Sequence, residues 1–177
     1  IGRNAGEYTD RRVEDDFNLC DDEMQMLKKV TELFHQAGKS VVVILNIGGV
    51  VETASWRDLP DAILVAWQGG QESGNSLADI LSGKVSPSGK LPMTFPIRYE
   101  DAASSKNFPV IEAEEAVNIY REFFTGAKGV DRPNVDYTLY EEGIFVGYRY
   151  FDSFDVATAY PFGYGLSYTD FKYSKPI

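Results

Sequence analysis

Two apolar segments that each end in Gly-Gly constrain the fold more than any other feature of the chain. They are SVVVILNIGG, residues 40–49, and AILVAWQGG, residues 62–70. Unbroken runs of β-branched and aliphatic residues are typical of parallel strands that are covered on both faces. Helix-like segments flank both strands, and strands that alternate with helices indicate an α/β fold. The sequence therefore predicts a mostly parallel sheet sandwiched between helices, with right-handed crossovers.

The first predicted helix follows a loop within residues 15–39. Acidic residues at 21–23 fall in its first turn, where the helix dipole favours them, and Gly38 follows the last turn as a C-cap would. Cys20 stands at the N-cap position, where it would cap more poorly than Ser. Apolar residues recur at spacings of three and four and form one face of the helix: Met24, Leu27, Val30, Leu33, Phe34 and Ala37.

A second helix is predicted over residues 72–83, with Leu77, Ile80 and Leu81 inward and Gly83 as its stop. Shorter elements are predicted around these. They are a strand tail at 1–4, a short helix within 50–59 and an extended piece fenced by prolines at 90–96.

The second half of the chain is less regular. Residues 97–140 predict mainly a long surface excursion, with a short helix within 112–124. A segment rich in Tyr, Phe and Gly follows. We therefore predict one α/β domain over residues 1–160 and a linker into a further domain over residues 161–177.

Composition excludes several classes of function. The chain has 177 residues and a net charge of −10, and its longest basic runs are the pairs Arg11-Arg12 and Lys28-Lys29. A nucleic-acid partner needs clustered Lys and Arg, so none is expected. One Cys and one His exclude a disulfide framework and a Cys/His zinc site. The longest apolar runs, such as residues 41–45, are far shorter than a membrane span, which needs about 20 residues.

Several candidate sites have a plain structural interpretation that is favoured. The Gly-rich turn at 69–77 could bind an anion, but it matches neither a P-loop nor a dinucleotide motif, and Glu72 adds negative charge. His35 is expected to be a partly buried structural residue, and a reactive thiol at Cys20 is a weak alternative to a capping role. The C-terminal aromatic residues could form a carbohydrate platform, but packing is the favoured interpretation.

Glu7 is the candidate that is hardest to dismiss. It lies just beyond the apparent end of a strand, and α/β proteins place ligands at the carboxyl ends of strands. Asp10 and Arg11 follow closely and could pair to stiffen the loop. On spacing alone, a solvated loop acid remains the favoured interpretation of Glu7.

Longer strings change this balance. GRNAGEYTDR, VVVILNIGGVVETASW, AILVAWQGGQESGNSLADILSGKVSPSGKLPMTFP, YEEGIFVGYRYFD and YPFGYGLSYTDFKYS occur in this order and span most of residues 1–174. Together they resemble the C-terminal α/β-sandwich domain of glycoside hydrolase family 3, the β-glucosidase and β-xylosidase family. Residues 97–138 lack a firm match. Tyr8 stands where many members have Gly, and Cys20 where Ser is common.

The resemblance implies a role for Glu7. Members resemble two-domain retaining glycosidases, in which a barrel supplies an Asp nucleophile and the α/β-sandwich supplies a Glu general acid/base on a loop of the GE…DR type. Glu7 matches that Glu. Retaining enzymes place the two carboxyl groups about 5–5.5 Å apart, so the active site is expected at the interface with the barrel.

The resemblance also implies what this chain does not carry. Nothing in it matches the barrel or its nucleophile, so we expect a piece of a larger enzyme that is inactive alone. The expected reaction is hydrolysis of terminal, non-reducing β-D-glucosyl residues, with no metal or organic cofactor. A β-xylosidase-type parent and a non-catalytic sugar-binding module stay open as alternatives, as does a flavodoxin-like phosphate binder at Gly69–Gly70. Family resemblance favours a periplasmic or secreted bacterial enzyme, and residues 161–177 resemble the link into a fibronectin-type-III-like domain.

Overall fold

A computed structural model of the chain describes residues 1–3, 11–107 and 139–175. In these ranges, a parallel pair is formed by β1, Val42–Leu45, and β2, Ala62–Val65. An antiparallel pair is formed by β3, Phe95–Pro96, and β4, Thr158–Tyr160. The helices are α1, Asp21–Gln36, α2, Ser73–Leu81, and α3, Tyr148–Ser153. Short helical turns lie at Val13–Phe17, Gly70–Glu72, Tyr99–Asp101 and Ala103–Lys106.

The predicted α/β class is confirmed by the parallel pair and its flanking helices. Val42 of β1 is in register with Ala62 of β2, and Leu45 with Val65. Gly2 forms a parallel bridge to Asn46 on the other side of β1, which supports the predicted strand tail at the start of the chain. The antiparallel pairing of β3 with β4 was not predicted.

The core lies on one side of the parallel pair. Val43 and Leu45 of β1 are buried, whereas Val42 is 44% exposed, and the residues of β2 are exposed or half-buried. The described residues therefore cover the two strands less completely than their sequences predict. The buried cluster draws on both halves of the chain: Leu27, Val43, Leu45, Ile47, Val51, Trp56, Phe95 and Ala159.

Helix α1 begins and ends as predicted. Its N-cap is Cys20, and the Glu23 carboxylate accepts the Cys20 backbone N–H at 3.2 Å. Gly38 has φ +66°, and the Lys39 N–H reaches back to the Phe34 carbonyl at 2.8 Å. Its apolar face is only partly covered by described residues, because Leu27 is buried but other members of the face are exposed: Val30, Leu33 and Phe34.

Helix α2 is confirmed, with one correction to its inward face. Gly83 follows the helix at φ +76°, and its N–H donates to the Ile80 carbonyl at 3.0 Å. Leu77 and Ile80 are half-buried, but Leu81, which was predicted to point inward, is 49% exposed.

The short helix predicted within residues 50–59 is wrong, because this segment forms turns. The Glu52 carboxylate accepts both the backbone N–H and the hydroxyl of Ser55, each at 2.7 Å. The Trp56 indole N–H donates to the Glu52 carbonyl at 2.7 Å. Such local side-chain bonds compete with the helical hydrogen-bond ladder. They also hold Trp56, which is 1% exposed, in the core.

The residues predicted as a linker contact the body of the domain. Backbone bonds join Leu91 to Tyr164 and Gly163 to Leu91, each at 2.8 Å. The Tyr168 hydroxyl donates to the Ile80 carbonyl at 3.0 Å. The domain boundary at residue 160 stays a prediction, and the helix predicted within 112–124 lies outside the described residues. In the described ranges, no helix has the length and apolar character needed to cross a bilayer.

Candidate functional site

Glu7, with Tyr8 and Asp10, lies outside the described residues. The candidate site is therefore defined by Arg3 and Arg11, which stand on either side of residues 4–10. Both arginines lie at the carboxyl edge of the parallel pair, where α/β proteins place their ligands.

Arg3 is held by a full set of hydrogen bonds. Its guanidinium forms two bonds with the Glu23 carboxylate, Nη1 to Oε1 at 2.7 Å and Nη2 to Oε2 at 2.6 Å. The other three N–H groups donate to backbone carbonyls: Gly2 at 2.7 Å, Asp16 at 3.0 Å and Asn18 at 3.2 Å. All five donors of the guanidinium are engaged, so Arg3 has none left for a ligand.

Arg3 and Glu23 form a largely buried ion pair that shifts the pKa of both partners. The Arg3 side chain is 6% exposed and that of Glu23 is 23% exposed. Hydrogen bonding to Arg3 lowers the pKa of Glu23 below its usual value, and hydrogen bonding to Glu23 raises the pKa of Arg3. Glu23 lies in the first turn of α1, so the pair fixes the start of the chain to that helix.

Arg11 reaches the same edge of the sheet from the other side of residues 4–10. Its Nη1 donates to the Val50 carbonyl at 3.0 Å, and its Nη2 donates to the Asp16 carbonyl at 2.6 Å. Its Nε is buried without a hydrogen-bond partner in the described part of the chain. Among the described residues, no carboxylate hydrogen-bonds this guanidinium, and burial lowers the pKa of Arg11.

Gly49, in the first Gly-Gly end, makes room for Arg11. A Cβ at position 49 would lie 2.8 Å from Arg11 Nη1, closer than real Cβ contacts allow. Gly48 plays a similar part for Gln68, because a Cβ there would lie 3.1 Å from Gln68 Nε2. The strand end therefore stays bare where side chains from other segments approach it closely.

Asp16 joins the two arginines. Its carbonyl oxygen accepts bonds from both Arg3 and Arg11, and its carboxylate accepts the backbone N–H of Arg12 at 2.9 Å. Gly2 and Arg3 are tied in turn to Asn46, which follows β1, by the bridge at Gly2 and by the Arg3 N–H donating to the Asn46 carbonyl at 3.2 Å. Arg3 and Arg11, on either side of residues 4–10, are thus both hydrogen-bonded to Asp16.

A cavity of about 660 Å³ opens beside Arg3 and Asp16. Arg3, Asp16, Asn46, Gln68, Gly70 and Ser73 contribute to its wall. The Gly-rich turn that contributes Gly70, at φ +66°, leads into α2 through a short helical turn, as the structural interpretation predicts.

The remaining candidates have structural surroundings. His35 Nε2 lies 2.9 Å from the Asp61 carboxylate, which also accepts the Val41 N–H at 2.7 Å. These two bonds, with that from Val41 the stronger influence, lower the pKa of Asp61. The contact with Asp61 supports the structural role predicted for His35, which stays a prediction. Its predicted partial burial is wrong, because its side chain is 44% exposed. Cys20 is free and half-buried.

The aromatic residues pack on one another. Tyr148 stacks on Phe162 with ring centroids 4.5 Å apart, and Tyr160 contacts both Phe95 and Tyr164. These contacts support the packing interpretation for these five rings. Within the described ranges, no group of His, Cys, Asp and Glu side chains could hold a metal ion.

Sequence reasoning missed most of this arrangement. It identified Glu23 only as an acid in a first helical turn and Arg11 only as a partner for Asp10, which is not described. The closeness of Arg3 to Glu7 along the chain was the one available signal, and it does not indicate where the guanidinium goes.

Most of the chain is similar to a family of known proteins. The family described as "Glycosyl hydrolase family 3 C-terminal domain" matches residues 1–148. A β-glucosidase of Ruminococcus albus is 38% identical over 177 residues, covering 98% of this chain and 16% of that protein. An exo-alpha-(1->6)-L-arabinopyranosidase of Bifidobacterium longum is 39% identical over 154 residues, covering 85% of this chain and 17% of that protein.

A solved structure shares the fold. β-Glucosidase 3B from Thermotoga neapolitana, in complex with alpha-D-glucose, superimposes with a TM-score of 0.75 at 48% identity. The alignment covers 91% of this chain and 20% of that one. The chain therefore spans a small part of the length of the relatives that it matches.

Proposed function

The chain belongs to glycosyl hydrolase family 3, within its C-terminal domain, and from this premise we propose that it supplies the general acid/base, Glu7, of a retaining β-glycosidase. The family match, which includes position 7, carries the proposal. The described geometry supports it, because Arg3 and Arg11 fix both sides of residues 4–10 to the carboxyl edge of the parallel strands.

The proposed reaction needs a second carboxylate from an N-terminal partner domain. In the first step, that nucleophile attacks the anomeric carbon while Glu7 gives its proton to the leaving-group oxygen, and a glycosyl-enzyme forms. In the second step, the Glu7 carboxylate takes a proton from water, which attacks the anomeric carbon and releases the sugar. Retention of configuration follows from the two displacements, and the two carboxyl groups would stand about 5–5.5 Å apart.

The acid must hold its proton near neutral pH, so its pKa must be raised. Burial and a neighbouring negative charge both raise the pKa of a carboxyl group. Docking against the partner domain would supply both, because it excludes water and brings the nucleophilic carboxylate close. The active site is accordingly proposed at the interface of the two domains, and the chain alone is proposed to be inactive.

We propose a terminal, non-reducing β-D-glucosyl residue as the group transferred. The names of the relatives from Ruminococcus albus and Thermotoga neapolitana support this choice. The Bifidobacterium longum relative is named an exo-alpha-(1->6)-L-arabinopyranosidase, so a similar chain also occurs in a protein with another substrate. A β-xylosidase-type parent is the alternative. We propose that the enzyme is exported, to the periplasm or to the outside of a bacterial cell.

The test is the variant Glu7→Gln in the full-length enzyme that contains this chain. Loss of the acid should lower kcat/KM at least 100-fold for a poor leaving group such as that of cellobiose. A dinitrophenyl β-glucoside, whose leaving group needs no proton, should lose far less. Glu14→Gln is the matched control, because Glu14 is an exposed carboxylate close in sequence. Equal losses for the two substrates would contradict the acid role.

Added azide separates the second half of the mechanism. Azide attacks the glycosyl-enzyme without giving up a proton, so it should accelerate turnover by Glu7→Gln with the dinitrophenyl substrate and yield β-glucosyl azide. Absence of this product would contradict the general-base role. An α-configured azide would contradict retention.

A further inference from the structure

We propose that Gln68, with Asn46 and Ser73, binds the hydroxyl groups of the sugar that leaves in the glycosidase reaction. These three residues form what we call the leaving-sugar site. The proposal rests on the proposed function and deepens it, because it names a sugar, rather than an alkyl or aryl alcohol, as the leaving group for which this chain has binding groups.

The leaving-sugar site brings together polar side chains from three segments at the carboxyl edge of the parallel pair. Asn46 directly follows β1, Gln68 lies shortly after the end of β2, and Ser73 begins α2. All three contribute to the wall of the cavity of about 660 Å³. Asn46 and Gln68 are exposed and Ser73 is half-buried. Because α/β proteins bind ligands at this edge, these groups are in place to meet one.

The amide group of Gln68 lies flat against Gly48. A Cβ at position 48 would lie 3.1 Å from Gln68 Nε2, 3.3 Å from its Cδ and 3.5 Å from its Oε1. Since these three distances are nearly equal, the face of the amide covers Gly48, and its N–H and carbonyl edges point sideways. Gly48 does not have a positive φ, so its own backbone does not require glycine. The bare position instead makes room for the amide.

The backbone is strained at Trp67, directly before Gln68. Trp67 has φ +52°, a conformation that residues with side chains rarely adopt. Its ring contacts Phe95 edge-on, with centroids 6.3 Å apart, and Phe95 is 1% exposed, so the core holds Trp67 in place. Strained backbone of this kind is concentrated at ligand sites, where the surrounding structure keeps it. Here it sets the direction in which the chain leaves β2 and delivers Gln68 to Gly48.

Ser73 and Asn46 are also held firmly. A Cβ at Gly69 would lie 3.0 Å from Ser73 Cβ and 3.1 Å from Ser73 Oγ, although Gly69 has φ −74° and does not require glycine for its conformation. The Asn46 N–H donates to the Ile1 carbonyl at 2.9 Å, and the Asn46 carbonyl accepts the Arg3 N–H at 3.2 Å. One glycine from each Gly-Gly end therefore makes room for a polar side chain of the same site.

The chemistry of the site matches sugar hydroxyls. Amide groups and serine hydroxyls both donate and accept hydrogen bonds, as sugar hydroxyls do. Asp15 and Asp16 stand in the same cavity wall. Carboxylates accept bonds from hydroxyls but repel an anion, so they disfavour a phosphate ligand at the Gly-rich turn.

The division of labour in the proposed reaction indicates which sugar these groups meet. The nucleophile, which holds the transferred sugar, belongs to the partner domain. The general acid belongs to this chain, and it stands on the leaving-group side of the scissile bond because it gives its proton to the leaving-group oxygen. Arg3, four positions before the proposed acid, contributes to the same cavity wall as Gln68. The polar groups of this chain at that edge are therefore assigned to the leaving sugar.

The test uses the full-length enzyme with the variant Gln68→Leu, which keeps the approximate size of the side chain but removes its hydrogen bonds. Cellobiose and butyl β-D-glucoside are compared, because both leaving groups need a proton but only cellobiose offers further hydroxyls on its leaving group. Gln68→Leu should lower kcat/KM about 3- to 10-fold for cellobiose and less than about twofold for the butyl glucoside. Gln25→Leu is the matched control, since Gln25 is an exposed glutamine of α1, and it should change neither value.

A second readout is the product formed when glucose is added with a dinitrophenyl β-glucoside. A glucose hydroxyl can replace water in the second step: its oxygen attacks the anomeric carbon, its proton goes to the Glu7 carboxylate, and a disaccharide forms. This acceptor occupies the leaving-sugar site, so Gln68→Leu should lower the share of disaccharide relative to free glucose. A purely structural role of Gln68 would not change this ratio.

The outcomes separate this proposal from the proposed function. Equal losses for cellobiose and the butyl glucoside, no loss for either, or an unchanged disaccharide share would overturn the leaving-sugar site while leaving Glu7 intact as the acid. If Glu7→Gln lacks its leaving-group dependence while Gln68→Leu still separates the two substrates, the acid assignment fails and the site stands. Should Gln68→Leu not fold, Gly48→Ala, which displaces the amide, decides the question by the same criteria.

Discussion

Removing Glu23 tests the bond that fixes the start of the chain. In Glu23→Ala, Arg3 loses its carboxylate partner but remains at a site where its side chain is 6% exposed. The guanidinium keeps its three backbone carbonyl acceptors, so it stays in place as a buried charge without its ion-pair partner. We expect a clear loss of folding stability.

The expected loss follows from the burial of the two partners. Breaking a buried ion pair by removing one member costs about 3–5 kcal/mol. Glu23 itself is 23% exposed, and three carbonyls continue to solvate Arg3, so the lower end applies. The 3.2 Å hydrogen bond from the Cys20 N–H to the Glu23 carboxylate is lost as well. Together these give about 3 kcal/mol in the free energy of unfolding.

The assay is urea denaturation of the chain at pH 7, followed by tryptophan fluorescence, since Trp56 is 1% exposed in the folded state. Glu32→Ala is the matched control on the same helix. Glu32 is 56% exposed and lies 3.7 Å from Lys29, so its removal should cost no more than about 0.5 kcal/mol. A loss for Glu23→Ala no larger than that of the control would refute the reasoning.

The pH dependence has a definite sign. Folding lowers the pKa of Glu23 from its ordinary value of 4.5, so the unfolded chain takes up its proton first as pH falls. The stabilisation is fully present above about pH 4.5 and is lost as pH falls towards the pKa of the folded state. The difference between wild type and Glu23→Ala should therefore be constant from pH 7 to about 5 and shrink below that. A difference that grows on acidification would contradict the ion-pair account.

Three further predictions follow from other parts of the chain. The chain alone should release no nitrophenol from a nitrophenyl β-glucoside, because the proposed nucleophile lies in a partner domain, and turnover above the buffer rate would contradict this. Gly38→Ala should destabilise by about 1 kcal/mol in urea titrations, because Gly38 has φ +66° although nothing lies within 4 Å of its Cβ position. Gly74→Ala, an open position inside α2, should stabilise instead, and equal effects of the two would contradict the argument. Trp56→Phe should cost about 3 kcal/mol by circular dichroism, since it removes core volume and the bond to the Glu52 carbonyl, and a loss below about 1 kcal/mol would contradict that packing.

The parts of the fold that were predicted correctly depend on local signals. The run at 40–49 identifies β1 by its unbroken β-branched residues, and Gly38 and Gly83 mark the ends of α1 and α2 because each carries the positive φ of a helix stop. Such signals lie within a few residues of the element that they define, so a single sequence contains them.

The parts that were missed depend on partners far apart in sequence. β3, Phe95–Pro96, pairs with β4, Thr158–Tyr160, although the two strands lie far apart in sequence. Strands of two and three residues are too short to carry a pattern that identifies their partner. The Arg3–Glu23 and Arg11–Val50 contacts join different elements in the same way. The helix predicted at 50–59 is replaced by turns, in which the Glu52 carboxylate binds Ser55 and Trp56 is buried.

The two Gly-Gly strand ends show how a fold signal and a site signal can coincide. In the second pair, Gly70 has φ +66° and Gly69 approaches Ser73, so both shape the turn into α2. In the first pair, Gly48 and Gly49 instead leave room for Gln68 and Arg11. An alanine at position 49 would leave β1 and its pairing intact, because Gly49 lies beyond the strand. Its effect would fall on the guanidinium of Arg11, so substitution of that glycine tests the contact with Arg11 separately from the stability of the sheet.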